Sequence, residues 1–123
     1  AAAHLSSIGR GPFEERVRQY AEMRVRLYDR VGPSYRAGRL LAPRSVRIRE
    51  DLERTRRTLT EQFERQFRPE IDALPNELHL VRSTTADVMS QLELIDLLRR
   101  TRRLTVQESI DVVADAVANA LRP

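Results

Sequence analysis

Apolar residues recur every three or four positions through most of the chain, which is the spacing of an amphipathic α-helix. In the first such segment they are Phe13, Val17, Tyr20, Leu27, Tyr28 and Val31. Gly32-Pro33 interrupts the pattern, and proline breaks helices because it lacks a backbone N–H and its ring clashes with the preceding turn. We therefore predict helix A over about residues 13–31, with Pro12 at its first position.

Serine residues mark where the next two helices begin, since a serine hydroxyl accepts a hydrogen bond from a free backbone N–H. Ser34 predicts a short helix B that ends at Leu41, before the break at Ala42-Pro43. Ser45 predicts helix C over about residues 46–67. The apolar stripe of helix C is narrow and its other faces carry Arg and Glu, so we expect one buried face.

A turn between Pro69 and Pro75 precedes the longest predicted helix, helix E, over about residues 77–101 with Asn76 as its N-cap. Helix E has two apolar stripes. One comprises Leu78, Val81, Thr85, Val88, Leu92 and Ile95, and the other comprises Leu80, Thr84, Leu94 and Leu98. Because one small core does not easily cover both stripes, we expect a second surface to cover one of them.

The last predicted helix, helix F, begins near residue 106 at a capping box. In that motif the Thr105 hydroxyl and the Glu108 carboxylate each bind a free backbone N–H. Its apolar stripe comprises Val106, Ile110, Val113, Val117 and Leu121. No segment requires a strand, so we predict an all-α fold, an antiparallel bundle of about five to six helices.

The length of 123 residues suits one domain. We assign that domain to residues 12–123. Residues 1–11 contain Ser6, Ser7, Gly9 and Gly11, and we interpret them as the end of a preceding helix followed by a linker.

Composition argues against several kinds of site. The chain has no Cys and two His, so we expect neither disulfides nor a metal site, and we expect no cofactor. His79 is interpreted as a surface or capping residue.

No apolar run approaches the roughly 18 residues that span a bilayer, so we expect no membrane partner and a cytoplasmic protein. No nucleophile and base pattern or phosphate-binding glycine loop is present, so we expect no enzyme.

Three stretches of the sequence resemble the regulatory domain of tetracycline-repressor-like (TetR-family) transcriptional regulators. The first is Leu40-Leu41-Ala42-Pro43-Arg44-Ser45, followed by the Arg- and Glu-rich helix C. The second is Phe67-Arg68-Pro69-Glu70-Ile71-Asp72-Ala73-Leu74-Pro75. The third is Gln91-Leu92-Glu93-Leu94-Ile95-Asp96-Leu97-Leu98-Arg99-Arg100, followed by Leu104-Thr105 and an Ala-rich last helix.

The resemblance implies a dimer whose interface is formed by the last two long helices, here E and F, with one self-complementary apolar patch. The residues we predict there are Thr85, Val88, Leu92, Ile95, Ile110, Val113, Ala114, Val117 and Leu121. It also implies an N-terminal helix-turn-helix that contacts DNA. The 123 residues contain no such segment, so DNA would be a partner only through that missing module.

The resemblance further implies a cavity between helices A, C and E for an apolar or amphipathic small effector that shifts DNA affinity. The residues we predict to line it are Tyr20, Met23, Leu27, Leu52, Thr55, Leu59, Phe63, Thr84 and Met89. Such a mixture of apolar side chains with a few hydroxyls suits a small-molecule site, although aromatic and Met residues at helical spacing are more often plain core.

Two other functions fit the same sequence. A stand-alone helical adaptor would dimerise through helices E and F without any DNA-binding module. A nucleic-acid-binding bundle would use arginine clusters such as Arg99-Arg100-Thr101-Arg102-Arg103 directly. The net charge is +4 and every basic residue is Arg. We interpret that usage as coding bias, and the acidic residues interspersed among the arginines favour a solvated face.

Overall fold

The structure is a computed structural model that describes residues 8–122, and all regular elements in that range are helical. The helices are α1 Phe13–Leu41, α2 Val46–Gln66, α3 Arg68–Asp72, α4 Asn76–Val88, α5 Leu92–Asp96 and α6 Val106–Leu121. A 3-10 turn, Ala42–Arg44, joins α1 to α2, and a π-helical turn, Leu97–Thr101, follows α5. The predicted all-α bundle is confirmed over the described range. Most of the predicted linker, residues 1–7, lies outside it.

Helix α1 is the central element of the bundle. It packs against α2, α5 and α6, while α4 covers α6 and the short α3 lies between α2 and α4. Its inward face contributes the buried residues Val17, Tyr20, Ala21, Val25, Tyr28 and Tyr35. Helix α1 therefore provides the surface on which α2, α5 and α6 pack.

An aromatic cluster holds one end of α1 against the end of α2. The Tyr20 ring meets the Phe67 ring edge-on at 5.1 Å between centroids, and Phe63 lies 5.6 Å from Phe67. Phe13 adds a second edge-on contact with Phe67 at 6.1 Å. Edge-on geometry is favourable because the positive rim of one ring faces the negative face of the other.

The predicted division into helices A and B is wrong, because α1 runs without a break past Pro33. Pro33 is exposed, so the carbonyl that loses its N–H partner can bind water instead. Tyr28 and Tyr35, on either side of the proline, are both buried in the same core. Burial of these two rings offsets the local cost of proline in a helix.

The prediction of one long helix E is also wrong, since α4 ends at Val88 and α5 begins at Leu92. Ser90 lies between them and is fully buried. Its hydroxyl donates to the carbonyls of Ala86 and Asp87, one turn back. Serine side chains compete with the helical backbone in this way, and the helix ends here.

The predicted helix starts are confirmed at two places. The Ser45 hydroxyl accepts from the Ile48 N–H, and the capping box of α6 has both of its hydrogen bonds, between Thr105 and Glu108. Asn76 is the first residue of α4, and its predicted capping role is wrong because Pro75 occupies the N-cap position without a side-chain cap. Pro12 likewise precedes α1 as its N-cap.

The segment before α1 is tied to the end of α2. The Gly9 N–H donates to Gln66 Oε1 at 2.8 Å, and Gly9 has a positive φ of 69°, which glycine adopts without strain. Arg16 is 4% exposed and binds both carboxylate oxygens of Glu70 and the carbonyl of Gln66. This cluster fixes the direction in which the chain enters the domain.

Among the helices of residues 8–122, none has the length and apolar character needed to cross a membrane.

Candidate functional site

An open groove lies between the second half of α1 and the first half of α2, and α5 closes one end of it. Its volume is about 400 Å³, which falls within the size range of small-molecule sites. The lining residues are Leu27, Val31, Ser34, Tyr35, Gly38, Ile48, Asp51, Leu52, Thr55 and Leu92. Most of them are apolar.

The groove is wide at Gly38 because this residue has no side chain. A Cβ atom built there would lie 3.6 Å from Leu52 Cδ2 and 3.9 Å from Ile48 Cγ2, which is ordinary van der Waals contact. An alanine therefore fits at position 38, whereas a larger side chain would occupy the groove.

The polar groups of the groove are few. Thr55 donates its hydroxyl to the Asp51 carbonyl within α2, so its methyl group is free to face an apolar ligand. The Tyr35 hydroxyl is buried and makes no well-aligned hydrogen bond. Glu93 and Arg56 are its polar neighbours, and a ligand oxygen or nitrogen at this point would provide the aligned partner that the hydroxyl lacks.

Burial raises the pKa of Tyr35 to about 12, and the nearby Glu93 carboxylate raises it further. The phenol is therefore neutral at physiological pH and able to donate a hydrogen bond. Arg56 of α2 binds Glu93 of α5 through a 2.6 Å hydrogen bond from Nε. This pair links the two helices beside the groove.

A second polar network ties α1 to α5. The Tyr28 hydroxyl donates to Asp96, and Arg36 Nη1 donates to the Tyr28 oxygen at 2.9 Å. Burial and the adjacent Asp96 carboxylate raise the pKa of Tyr28. The position of α5 thus depends on two side-chain networks, one with α2 through Arg56 and Glu93 and one with α1 through Tyr28 and Asp96.

Arg24 of α1 is completely buried and holds the break between α4 and α5. Its guanidinium donates to the carbonyl of Ser90 at 2.7 Å and to that of Leu59 in α2 at 2.5 Å. It also lies 4.7 Å from the centre of the Tyr20 ring, whose hydroxyl contacts Ser90 Oγ at 2.8 Å. Its Nε has no partner, and burial lowers the pKa of Arg24.

The nine residues predicted to line a cavity fall in three places. Leu27, Leu52 and Thr55 line the groove. Tyr20, Leu59 and Phe63 belong to the closed core, and Met23 packs against it. Met89 is half-buried at the end of α4, and Thr84 is exposed on that helix. The predicted helices A, C and E also meet in the closed core, at Arg24, but they leave open space only in the groove, where Leu92 belongs to predicted helix E.

Seven lining residues of the groove were not predicted as such, and four of them lie on α1: Val31, Ser34, Tyr35 and Gly38. The other three are Ile48, Asp51 and Leu92. The four residues of α1 lie on the part of the helix that we had divided at Gly32-Pro33. The apolar spacing from Tyr28 through Val31 to Tyr35 continues the helix across the proline, and this signal would have placed them on one face.

The residues predicted for a dimer interface divide into two groups. Seven of them are at most 5% exposed and lie in the core of the single chain: Leu92, Ile95, Ile110, Val113, Ala114, Val117 and Leu121. These seven already contact other helices of their own chain, so they do not offer free surface to a partner. Thr85 and Val88 are exposed on α4.

The outer face of α4 is apolar. Leu80, Val81 and Val88 are 75%, 63% and 48% exposed, and helical spacing places them opposite the buried Ala86. The Thr85 hydroxyl donates to the Val81 carbonyl at 2.7 Å, so it needs no other partner. We call Leu80, Val81, Thr84, Thr85 and Val88 the outer α4 face.

Within residues 8–122, no group of His, Asp and Glu side chains has the arrangement of a metal site. His79 is exposed on α4, whereas His4 lies outside the described range.

No protein-family profile, curated protein or solved structure matches the chain. The resemblance to TetR-family regulators therefore rests on the residue patterns of the sequence alone.

Proposed function

We propose that the chain is the effector-sensing and dimerising domain of a TetR-like transcriptional regulator, and that its effector is an apolar or amphipathic small molecule bound in the α1–α2 groove. The observation that carries the proposal is the buried Tyr35 hydroxyl, which makes no well-aligned hydrogen bond, in a mainly apolar groove. Apolar walls with one or two hydrogen-bonding groups are the usual composition of small-molecule sites.

The length of α1 supports a sensing role. Arg16, which anchors the entering chain to Glu70, and Tyr35, which lines the groove, are on the same helix. They are nineteen positions apart in the helix, or about 28 Å at 1.5 Å per residue. A ligand that preferred one placement of α1 relative to α2 would shift the direction of the preceding chain, and with it the DNA affinity of an attached helix-turn-helix.

The outer α4 face supports the dimerising role. It is an uncharged stripe between Glu77 and Val88, so two copies would meet there without repulsion between like charges. The proposed interface therefore retains Thr85 and Val88 from the sequence prediction and adds Leu80, Val81 and Thr84. Adjacent helix α6 would support the interface from within each subunit rather than form it.

The groove is tested by titrating the protein with N-phenyl-1-naphthylamine, an uncharged apolar dye that fluoresces more strongly in apolar surroundings. We expect saturable binding of one dye per chain. Gly38→Ala leaves the groove open and should bind the dye as the unaltered protein does. Gly38→Leu fills the groove and should weaken binding by at least about tenfold, or about 1.4 kcal/mol.

Ala37→Leu is the matched control, because Ala37 is the exposed neighbour of Gly38 on α1 and adds the same side chain outside the groove. Equal dye binding by Gly38→Leu and Ala37→Leu would refute the groove as the binding site. The melting temperature of each variant, followed by circular dichroism, shows that both are folded.

Coupling is tested by hydrogen exchange of the amides of residues 8–16 with and without saturating dye. We expect their exchange rates to change, because the Gly9 N–H is bonded to Gln66 of α2. If exchange in this segment is unaffected by a saturating dye, the groove binds ligands without transmitting the effect, which contradicts a sensing role.

The dimer is tested by sedimentation of the unaltered chain and of Val81→Arg. We expect a dimer that becomes a monomer in the variant, since an unpaired charge in an apolar interface is costly. Thr58→Arg, at an exposed position of α2, is the control. A monomeric unaltered chain, or a Val81→Arg dimer, would contradict the proposed interface.

The outer α4 face also favours the second candidate function, a helical adaptor that dimerises without sensing a ligand. The two candidates differ in the dye titration. An adaptor predicts dimerisation through α4 together with no saturable binding in the groove, whereas the sensor predicts both.

A further inference from the structure

A second hollow lies on another side of α1, where α1 meets α5 and the π-helical turn. Its volume is about 340 Å³, and it is lined by Arg36, Arg39, Leu40, Asp96 and Arg100. It shares no lining residue with the groove between α1 and α2. The two hollows are therefore separate sites.

The charges around this hollow are not balanced. Three guanidinium groups face one carboxylate, that of Asp96. Asp96 lies 3.6 Å from Arg36 and 3.8 Å from Arg39, which is longer than the roughly 2.7–2.9 Å of a charge-assisted hydrogen bond. The Tyr28 hydroxyl is its hydrogen-bonding partner. Arg100 pairs with no carboxylate of the described chain.

The backbone beside Arg100 has an unusual conformation that sets its position. The Arg102 N–H donates to the Leu97 carbonyl, five residues back, and Arg103 has a positive φ of 56°. The neighbouring Arg99 is already used, since it binds the Leu104 carbonyl and Asp29. Such π-helical turns are rare and occur often at functional sites. Here the turn leaves Arg100 beside Arg36 and Arg39.

We propose that this hollow binds the phosphate group of a small phosphate monoester, whose two negative charges match the excess of two positive charges among Arg36, Arg39, Arg100 and Asp96. Guanidinium groups suit phosphate because their planar N–H donors form paired hydrogen bonds with its oxygens. Leu40, which is 80% exposed at the edge of the hollow, provides an apolar contact for the organic part of the ester.

The same chemistry occurs in a nucleic-acid backbone, but two observations favour the small molecule. Each backbone phosphate is a diester with one negative charge, and it does not match an excess of two. The carboxylates of Asp96 and Asp29 also lie in the basic region, where they would repel a polyanion passing over the surface. A concave site with an excess of two positive charges fits a single compact dianion better than it fits an extended polyanion.

The test is a calorimetric titration with phenyl phosphate at pH 7.5 and constant ionic strength, where the second ionisation, with a pKa of about 6, is essentially complete. We expect saturable binding of one ligand per chain. Arg39→Gln with Arg100→Gln should weaken it at least about tenfold. Arg47→Gln with Arg57→Gln removes the same charge from exposed positions of α2 and should leave the affinity within about twofold.

Two further ligands define the class. Methyl phenyl phosphate, a diester with one charge, should bind at least about fivefold more weakly than phenyl phosphate. Inorganic phosphate should also bind more weakly than phenyl phosphate, because it lacks the organic group that contacts Leu40. In Leu40→Ser the two ligands should bind with similar affinity. The proposal is overturned if the two double variants lose affinity equally, or if diester and monoester bind alike.

A single-stranded oligonucleotide provides the remaining comparison. If it binds more tightly than phenyl phosphate and its binding is lost in Arg39→Gln with Arg100→Gln, the region is a nucleic-acid surface and the small-molecule proposal is wrong. If phenyl phosphate does not saturate the unaltered chain, there is no site. Both double variants change exposed or half-exposed side chains, and unchanged melting temperatures would establish that loss of binding is not loss of fold.

Discussion

The Arg24 guanidinium of α1 donates a 2.7 Å hydrogen bond to the carbonyl of Ser90, in the break between α4 and α5. Arg24 is the donor that the structure gives to this buried carbonyl. The same side chain binds the Leu59 carbonyl in α2. One residue of α1 thus joins three helices at the point where a longer helix would otherwise continue.

Replacing Arg24 by methionine should lower the free energy of unfolding by about 2–4 kcal/mol, because it leaves the Ser90 carbonyl buried without a partner and loses packing against Tyr20. Urea denaturation followed by circular dichroism measures this. Arg26→Met changes an exposed arginine paired with Glu22 one turn away, and should cost about 0.5 kcal/mol or less. A more stable Arg24→Met protein would show that relief of the buried charge outweighs the lost hydrogen bonds.

Alkaline pH should destabilise the protein through Tyr20 and Tyr35, since burial raises the pKa of each to about 12, above the usual value of about 10. The folded state then keeps its phenol protons where the unfolded chain has lost them. The stabilisation is complete below pH 10 and is lost as the pH rises from 10 to 12. The expected slope is about 1.4 kcal/mol per pH unit for Tyr20.

This alkaline range is unusually simple to interpret, because the chain has no Lys and no Cys and only three Tyr. Urea midpoints measured between pH 9 and 12, together with absorbance of the tyrosinate near 295 nm, report on those tyrosines. Tyr20→Phe should reduce the slope by about one proton. An unchanged slope in this variant would exclude Tyr20 as the source.

The capping box of α6 should contribute measurable stability. Thr105→Ala removes the hydroxyl that accepts from the Glu108 N–H at 3.0 Å, and we expect a loss of about 1 kcal/mol. Thr101→Ala, an exposed threonine before the cap, should change the free energy of unfolding by less than about 0.5 kcal/mol. Equal effects of the two substitutions on the urea midpoint would contradict the capping role.

Pro33 should be a destabilising residue within α1. Pro33→Ala restores a backbone N–H and relieves the ring clash, so we expect the protein to gain about 1–3 kcal/mol. Pro43→Ala is the control, because Pro43 lies in the first turn of the 3-10 segment, where no helical N–H is lost. Differential scanning calorimetry of both variants tests this, and a melting temperature lowered by Pro33→Ala would contradict it.

Capping residues and the spacing of apolar residues, which act over a few positions, predicted most of the helices. Ser45 and the Thr105 and Glu108 pair marked two helix starts correctly because caps act over three residues. The errors at Pro33 and Ser90 have a common cause. Contacts from distant parts of the chain contribute to each, namely the core around Tyr28 and Tyr35, and the hydrogen bond from Arg24 that adds to the local hydrogen bonds of Ser90. A sequence window does not contain the distant contacts.

The sites were less predictable than the fold. Leu27, Leu52 and Thr55 were found because they lie on inward faces of α1 and α2, but helical period alone does not distinguish a groove from the closed core that holds Tyr20 and Phe63. Whether the inward faces of α1 and α2 enclose a groove or a closed core depends on whether a small residue, here Gly38, leaves space between them. The hollow lined by Arg36, Arg39 and Arg100 depends on the π-helical turn, which no sequence pattern predicted.

The last helix lies beside the first, with the Arg122 guanidinium 2.7 Å from the Glu14 carboxylate and the α6 residues Val113 and Val117 in the common core. During synthesis, α1 leaves the ribosome long before α6, so its apolar face is exposed until α6 has been made. The nascent chain is consequently exposed to aggregation until translation reaches α6. A circular permutant of residues 8–122, in which α6 directly precedes α1, would shorten that interval.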